Sequence, residues 1–161
     1  MSTTGFADSI AELWAGLEMG PPPRRGADGG VSMRVEGTTV SLLPSPDGTG
    51  LRALVRLGDL PEGPEGERLL GAVMRRALGL LAVNASCVRL QPGTRTVLVE
   101  GHAPAAAPLQ TRVKMIEAVL QAVELLQSDF VGPGSGNPAR GPLGSGAADP
   151  ASEDEVVVFR P

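Results

Sequence analysis

The sequence predicts an α+β domain in which three helices accompany an antiparallel β-sheet. Three stretches have the apolar spacing of amphipathic helices, and five short runs between them read as strands. Turn-forming sequences separate neighbouring strands, so these strands are expected to pair in antiparallel fashion. The element order is α-β-β-β-α-β-β-α, which is typical of helices packed against an antiparallel sheet.

The first helix is predicted over Phe6–Met19, and Gly20 with the three prolines after it ends the helical pattern. Ser9 and Glu12 have the spacing of a capping box, although a helix start near Thr4 is equally possible. Trp14 is either a core residue or a partly exposed anchor for a partner, and the pattern leaves both open. The apolar face consists of Phe6, Ile10, Leu13, Trp14 and Leu17.

A meander of three strands is predicted next. The strands are Val31–Glu36, Thr39–Leu43 and Leu51–Leu57. The first two alternate apolar and polar residues, and Glu36-Gly37-Thr38 suits a tight turn between them.

A second hairpin is predicted after the central helix, followed by the last helix. Its strands are Cys87–Leu90 and Thr96–Glu100, joined through a Pro-Gly turn. Gly101–Pro108 reads as a loop that connects this hairpin to a long amphipathic helix over Leu109–Phe130.

The central helix, predicted over Glu65–Asn84, is more apolar than packing on one sheet requires. Its apolar residues fill an arc of roughly 180°, whereas a stripe a little over about 100° wide is enough for one sheet. The surplus arc is therefore expected to face a second copy of the chain. A helix that is wholly buried within one subunit is the alternative. The predicted dimer contacts are Leu69, Leu70, Val73, Met74, Ala77, Leu78 and Leu81.

The composition changes after the last helix, which divides the chain into a domain at 1–131 and a tail at 132–161. The tail is rich in Gly and Pro and is predicted to be disordered. Its end is acidic and then Val-rich, and the tip Val156–Phe159 has strand-forming residues. This tip is expected either to have no role or to add to a sheet edge, in its own chain or in a partner.

Several function classes are disfavoured. The net charge of −4 argues against nucleic-acid binding. No run approaches about 18 apolar residues, so we expect a cytoplasmic protein without membrane insertion. Cys87 is the single cysteine and is expected to be a buried, inert thiol. His102 is the single histidine and is expected in an exposed loop.

With one cysteine and one histidine, the chain offers no metal cluster and no well-supported catalytic triad. We therefore predict a binding protein without a cofactor, not an enzyme. A deep polar pocket that converges on His102 or on clustered carboxylates would restore the enzyme alternative.

The sequence resembles the class I type III secretion chaperones, the Tir-chaperone-like family, over roughly Phe6–Phe130. The resemblance is carried by the element order, by Leu-Gly-Asp-Leu-Pro before the central helix, and by Leu-Leu-Ala-Val-Asn (80–84) at its end. The long tail is similar to that of the general, multi-effector chaperones of plant-pathogen secretion systems.

The resemblance implies an ATP-independent homodimer that binds N-terminal segments of secreted effectors, keeps them soluble and export-competent, and delivers them to the secretion ATPase. It implies a role in virulence and a dimer interface on the central helix. An alternative is a bacterial regulatory domain of the same fold that binds a folded protein or receptor. The effector contacts that the resemblance implies are Trp14, Leu17, Val35, Val40, Leu42 and Leu54.

Overall fold

The computed structural model describes residues 5–81, 86–130 and 158–159. The helices are α1 (Phe6–Gly16), α2 (Pro64–Leu81) and α3 (Leu109–Phe130). The strands are β1 (Val31–Val35), β2 (Thr38–Pro44), β3 (Gly50–Asp59), β4 (Ser86–Leu90), β5 (Thr96–Pro104) and β6 (Val158–Phe159). The predicted α+β class and the order of the first eight elements are confirmed.

The strands form one sheet in the order β4-β5-β3-β2-β1-β6. The first five pair in antiparallel fashion, as predicted, whereas β6 pairs in parallel with β1. Strand β6 belongs to the tail for which disorder is predicted, and it adds to a sheet edge of its own chain. Residues 131–157 and 160–161, the rest of that tail, lie outside the described ranges.

Helix α1 ends three residues earlier than predicted, at Gly16. Glu18 has a positive φ of 54°, which turns the chain out of the helix, and the Met19 N–H donates to the Trp14 carbonyl at 3.0 Å. At the other end, the Gly5 N–H donates to the Asp8 carboxylate at 3.2 Å. Of the two predicted starts, the one near Thr4 agrees with the N-cap at Gly5, and the capping box at Ser9 and Glu12 is wrong because both residues lie inside the helix.

Strand β5 extends into the predicted loop Gly101–Pro108 and ends at Pro104. It does so because its antiparallel pairing with β3 continues as far as the Gly50–Pro104 pair. Gly101 permits a close approach of α3, since a Cβ atom there would lie 2.6 Å from Val119 Cγ2. His102 consequently lies in a strand, although it is exposed as predicted.

The two other helices follow their predicted positions. Helix α2 begins at Pro64, where the fixed φ of proline suits a first helical residue, and Glu65 and Glu67 lie in its first turn. Its predicted end at Asn84 lies outside the described residues. Helix α3 has its predicted bounds. Within the described ranges, none of the three helices has the length and apolar character that a membrane crossing requires.

The helices and one face of the sheet enclose a single core. Helix α3 contacts the three strands β3, β4 and β5. Helix α1 contacts α3 and β3, whereas helix α2 contacts α3 and β4. The largest side chains without exposed surface include Trp14, Leu13, Leu42, Leu51 and Leu126. These residues come from both layers, so the core joins α1 and α3 to the sheet.

Trp14 is a core residue, and its indole N–H has no acceptor among the described residues. We expect Trp14→Ala to lower the free energy of unfolding by about 3–5 kcal/mol, because it leaves a large cavity. Trp14→Phe should cost much less, since it keeps most of the ring volume and removes the unpaired N–H. Urea titrations followed by circular dichroism measure both variants. Equal stabilities of Trp14→Ala and the parent chain would contradict the assignment of Trp14 to the core.

Candidate functional site

The six predicted effector contacts do not form one surface. Trp14, Val40 and Leu42 each have 0% exposed surface. Val40 and Leu42 lie on the face of β2 that meets the helices, within the same core as Trp14. A partner cannot contact these three side chains in this conformation, so their expected direct role is corrected to a structural one.

Leu54 lies on the other face of the sheet. The register pairs Leu42 with Ala53 and Ser41 with Leu54, so Leu54 points away from Leu42. On its own strand it stands between Arg52 and Arg56, which share its face because side chains alternate along a strand. Leu54 is 9% exposed and lies among charged side chains, apart from the other predicted contacts.

The two remaining predicted contacts, Leu17 and Val35, line the same groove. It lies between the end of α1, strand β1 and helix α3, has a volume of about 70 Å³, and is called the edge groove below. Leu17 and Leu120 on its walls are half-buried, so apolar surface remains open to a partner. The lining residues are Leu17, Met33, Val35, Val113, Ile116, Glu117 and Leu120.

A larger depression of about 480 Å³ adjoins the edge groove along α3 and the β1–β2 turn, and is called the acidic groove below. The two share Val35, Glu117 and Leu120. Carboxylates of Glu36, Glu117 and Glu124 contribute to the acidic groove, and its described lining includes no basic side chain. Apolar side chains followed by a basic one would therefore suit the combined surface.

Strand β1 presents its backbone beside these grooves. One edge of β1 pairs with β2, and the other pairs with β6 through Arg34–Val158 and Val35–Phe159. This edge thus accepts an added strand, which is a recurring mode of peptide recognition. Val35 belongs both to the pairing edge and to the two grooves, so main-chain pairing and side-chain burial are available at one place.

A buried arginine fixes one wall of the edge groove. Arg112 on α3 is 3% exposed and donates from Nη1 to the Ser9 carbonyl at 2.7 Å and from Nε to the Ala107 carbonyl at 3.1 Å. It also forms an ion pair with the Glu12 carboxylate. The contacts with Ser9 and Glu12 hold α1 against α3. Leu17 and Val113 line the edge groove from the two sides. Ser9 and Glu12 have the spacing of a capping box, but in the structure they contact Arg112.

The predicted dimer contacts on α2 divide by exposure. Val73 and Ala77 face the core, whereas Leu69, Leu70 and Met74 are half-buried. Leu78 is 67% exposed, and the side chain of Leu81 lies outside the described set. Part of the predicted surplus apolar arc is therefore open. The neighbouring α3 and β4 each carry an exposed leucine as well, Leu125 and Leu90.

Two of the three α2 glycines, Gly71 and Gly79, are not required by packing within the described part of the chain, whereas a Cβ atom at Gly66 would collide with the Pro61 carbonyl. A Cβ atom at Gly79 would meet nothing within 4 Å, and one at Gly71 would meet only Arg75, at 3.5 Å. Glycine in a helix interior costs about 1 kcal/mol relative to alanine. A close backbone approach within the protomer therefore does not explain why glycine is present at these two positions.

Cys87 is exposed, which corrects the expectation of a buried thiol. It lies in β4, the strand at the other end of the sheet. Partial desolvation and then the Glu100 carboxylate raise the pKa of the thiol above its ordinary value. The reactive thiolate is therefore a smaller fraction at neutral pH than in a free cysteine.

His102 forms a hydrogen bond with a serine but does not belong to a triad in the described structure. Its Nε2 lies 2.8 Å from Ser45 Oγ. The nearby Asp47 carboxylate accepts from the Thr49 N–H at 3.1 Å and from the Thr49 hydroxyl at 2.5 Å. The hydroxyl contact is the main reason that the pKa of Asp47 is lowered. Asp47 thus serves the β2–β3 turn, and the Ser45–His102 pair fastens that turn to β5.

Among the described residues, no group of three or more His, Cys, Asp and Glu side chains is arranged to hold a metal ion.

No protein-family model and no curated protein sequence matches this chain significantly. Solved structures with the same fold do match. A chain of the HopA1–SchA chaperone–effector complex aligns with a TM-score of 0.61 and 14% identity, over 76% of this chain and 93% of that chain.

Two further matches come from type III secretion. The structure of the Yersinia pestis type III secretion chaperone SycH with a stable fragment of YscM2 gives a TM-score of 0.55 and 14% identity, over 75% of this chain and 98% of that chain. The ExoU–SpcU complex of the Pseudomonas aeruginosa type III secretion system gives a TM-score of 0.54 and 14% identity, over 76% of this chain and 95% of that chain. The chain therefore has the fold of class I type III secretion chaperones, as the sequence resemblance predicts.

The contacts of Arg112 predict an asymmetric response to mutation. Arg112→Met should lower the free energy of unfolding by about 1–3 kcal/mol or more, because two carbonyls lose their donor. Glu12→Gln should cost less than about 1 kcal/mol, since the Glu12 side chain is more than half exposed. Chemical denaturation of both variants measures the difference. Equal costs would show that the ion pair, and not the carbonyl contacts, joins α1 to α3.

Proposed function

We propose that this chain is a cytoplasmic type III secretion chaperone that acts as a homodimer and binds N-terminal segments of secreted effector proteins. In this role it keeps the segments soluble and export-competent and delivers them to the secretion ATPase. It works as a binding protein, without catalysis and without a cofactor.

One observation carries the proposal: a strand-accepting backbone edge lies directly beside an apolar groove. The β1–β6 pairing demonstrates that the edge accepts an extended segment. The edge groove offers Leu17, Val113 and Leu120 as half-buried apolar contacts beside it. An extended, non-globular segment gains backbone hydrogen bonds from the β1 edge and apolar burial from the edge groove. A globular ligand would not make full use of either the edge or the groove.

The solved structures with this fold support the same class of ligand. They include a chaperone bound to an effector and a type III secretion chaperone bound to a protein fragment. The proposed contacts on this chain differ from those the sequence resemblance implies. Leu17 and Val35 remain, Val113 and Leu120 are added, and Trp14 has the indirect role of holding α1 on the sheet.

We assign the dimer contact to α2 and its surroundings. Among the α2 side chains that the structure describes, Leu78 is the apolar one with the greatest exposure, and Gly71 and Gly79 leave room for a second backbone. Leu70 is half-buried against the core, so changing it would disturb folding as well as association. Leu78 is therefore the position at which dimerisation can be tested alone.

The edge groove is tested by a matched pair of substitutions on α3. Leu120→Gln should weaken binding of an effector N-terminal segment about tenfold or more, since fully burying a leucine is worth about 1.5–3 kcal/mol. Leu125→Gln makes the same change at an exposed position of the same helix outside both grooves and should leave binding unchanged. Isothermal titration with the N-terminal segments of proteins secreted by the same bacterium measures both.

If neither variant loses binding, the edge groove is not part of the binding site. Binding of folded proteins but of no isolated segment would instead favour a regulatory domain of the same fold. Circular dichroism of both variants excludes unfolding as a cause.

The dimer is tested by Leu78→Glu. Placing a carboxylate in an apolar interface removes the leucine burial and leaves a charge without a partner, so we expect the dimer to weaken by at least about 100-fold. Ala11→Glu introduces the same charge at an exposed position of α1 and serves as the control. Sedimentation velocity over a concentration series measures the association. An unchanged Leu78→Glu dimer would place the interface elsewhere.

A further inference from the structure

The β1 edge already has an occupant, and that occupant comes from the same chain. Val158 and Phe159 pair with Arg34 and Val35, beside the grooves to which we assign partner binding. The same edge cannot pair with two strands at once, because each strand edge offers one row of backbone donors and acceptors. A partner segment that pairs with Arg34 and Val35 must therefore displace the tip.

We propose that the C-terminal tip is a built-in competitor for the partner site, so that only segments able to displace it are retained. This inference rests on the proposed function for the identity of the partner, but the pairing of the tip is a property of this chain alone. The partner is an extended segment with β-branched or aromatic residues, of which the tip is an internal example.

The extent of pairing makes the tip displaceable. Strand β1 has five residues, and within the described ranges β6 pairs with only two of them. A partner strand of five residues can pair along all of β1 and also place side chains in the edge groove. Such a segment forms more hydrogen bonds than β6 does, and a segment that matches only Arg34 and Val35 gains nothing over the tip.

The connection within one chain makes the tip an effective competitor despite its short pairing. Residues 131–157 connect α3 to β6 within one chain, so the pairing of the tip with β1 is intramolecular. Intramolecular binding steps can have effective concentrations on the order of 1 mM. A tip with an intrinsic Kd of about 0.1 mM would then reduce the apparent affinity of a partner about tenfold.

The charges beside the β1 edge favour some partner sequences over others. Glu36, Glu117 and Glu124 line the acidic groove next to Val35. In the sequence, Phe159 is followed by Arg160, so the tip combines apolar residues with a following basic one. We infer that favoured partner segments likewise carry a basic residue directly after their apolar pairing residues, because a positive charge at that place is attracted to these carboxylates.

The test uses the full chain and a probe of defined sequence. The probe is a fluorescently labelled peptide with the sequence of residues 152–161, SEDEVVVFRP. The variant Val158→Pro/Phe159→Pro removes two backbone donors from the tip and should free the edge. We expect the peptide to bind this variant at least about fivefold more tightly than the parent chain in fluorescence anisotropy. Ala147→Pro/Ala148→Pro places two prolines in the same tail but leaves the tip sequence intact, and should behave as the parent.

Equal affinity of the peptide for the Val158→Pro/Phe159→Pro variant and the parent chain would overturn the proposal, and so would an absence of binding to both. A peptide carrying the same two prolines should bind neither protein. Amide hydrogen exchange at Arg34 gives a second readout, since its N–H points to the β6 edge and release of the tip should accelerate its exchange in the variant, whereas the Val35 N–H points to β2. If the tip peptide behaves as expected but segments of secreted proteins bind neither form, the proposed function fails while the pairing of tip and edge stands.

Discussion

The buried Arg112 guanidinium is the interaction on which the candidate site depends. Its contacts with the Ser9 carbonyl and with Glu12 hold α1 against α3, and its contact with the Ala107 carbonyl fixes the chain just before α3. With α1 in that position, Trp14 reaches the core and Leu17 stands opposite α3 at the β1 edge. Arginine suits this place because its planar group can serve several acceptors while staying charged. Together with the buried apolar face of α1, this connection keeps Leu17 beside α3.

The sheet separates two surfaces with different roles. Strand β4 at one end lies beside α2 and exposed Leu78, where we place the second copy of the chain. Strand β1 at the other end lies beside the edge groove, where we place the extended partner. In this arrangement, dimerisation leaves the partner edge accessible. Each protomer of a dimer would present its own β1 edge, and a long segment could engage both.

The parts that sequence could predict are those with strong local patterns. The bounds of α3 and the Glu36–Gly37 turn follow from apolar periodicity and from backbone positions with positive φ. The extension of β5 through Gly101 could not be predicted, because its cause is pairing with β3 and close approach of Val119. For the candidate site, sequence could place residues in helices and strands but not on their faces. Alternation placed Leu42 and Leu54 in strands, but only the register shows that they occupy opposite faces. Periodicity likewise marked Trp14 as apolar without showing whether the core or a partner covers it.

The proposed function requires that the β1 edge accepts the partner as an added strand. Amide hydrogen exchange of Val31–Val35, measured with and without a bound effector N-terminal segment, tests this requirement. Backbone pairing slows the exchange of amides that become hydrogen-bonded. The N–H groups of Ser32 and Arg34 point to the outer edge of β1, and β6 pairs beside Arg34. A bound segment should therefore slow exchange at Ser32, keep Arg34 protected, and leave exchange in β4 unchanged. Protection confined to β4 or to the outer face around Leu54, with β1 unchanged, would contradict this requirement.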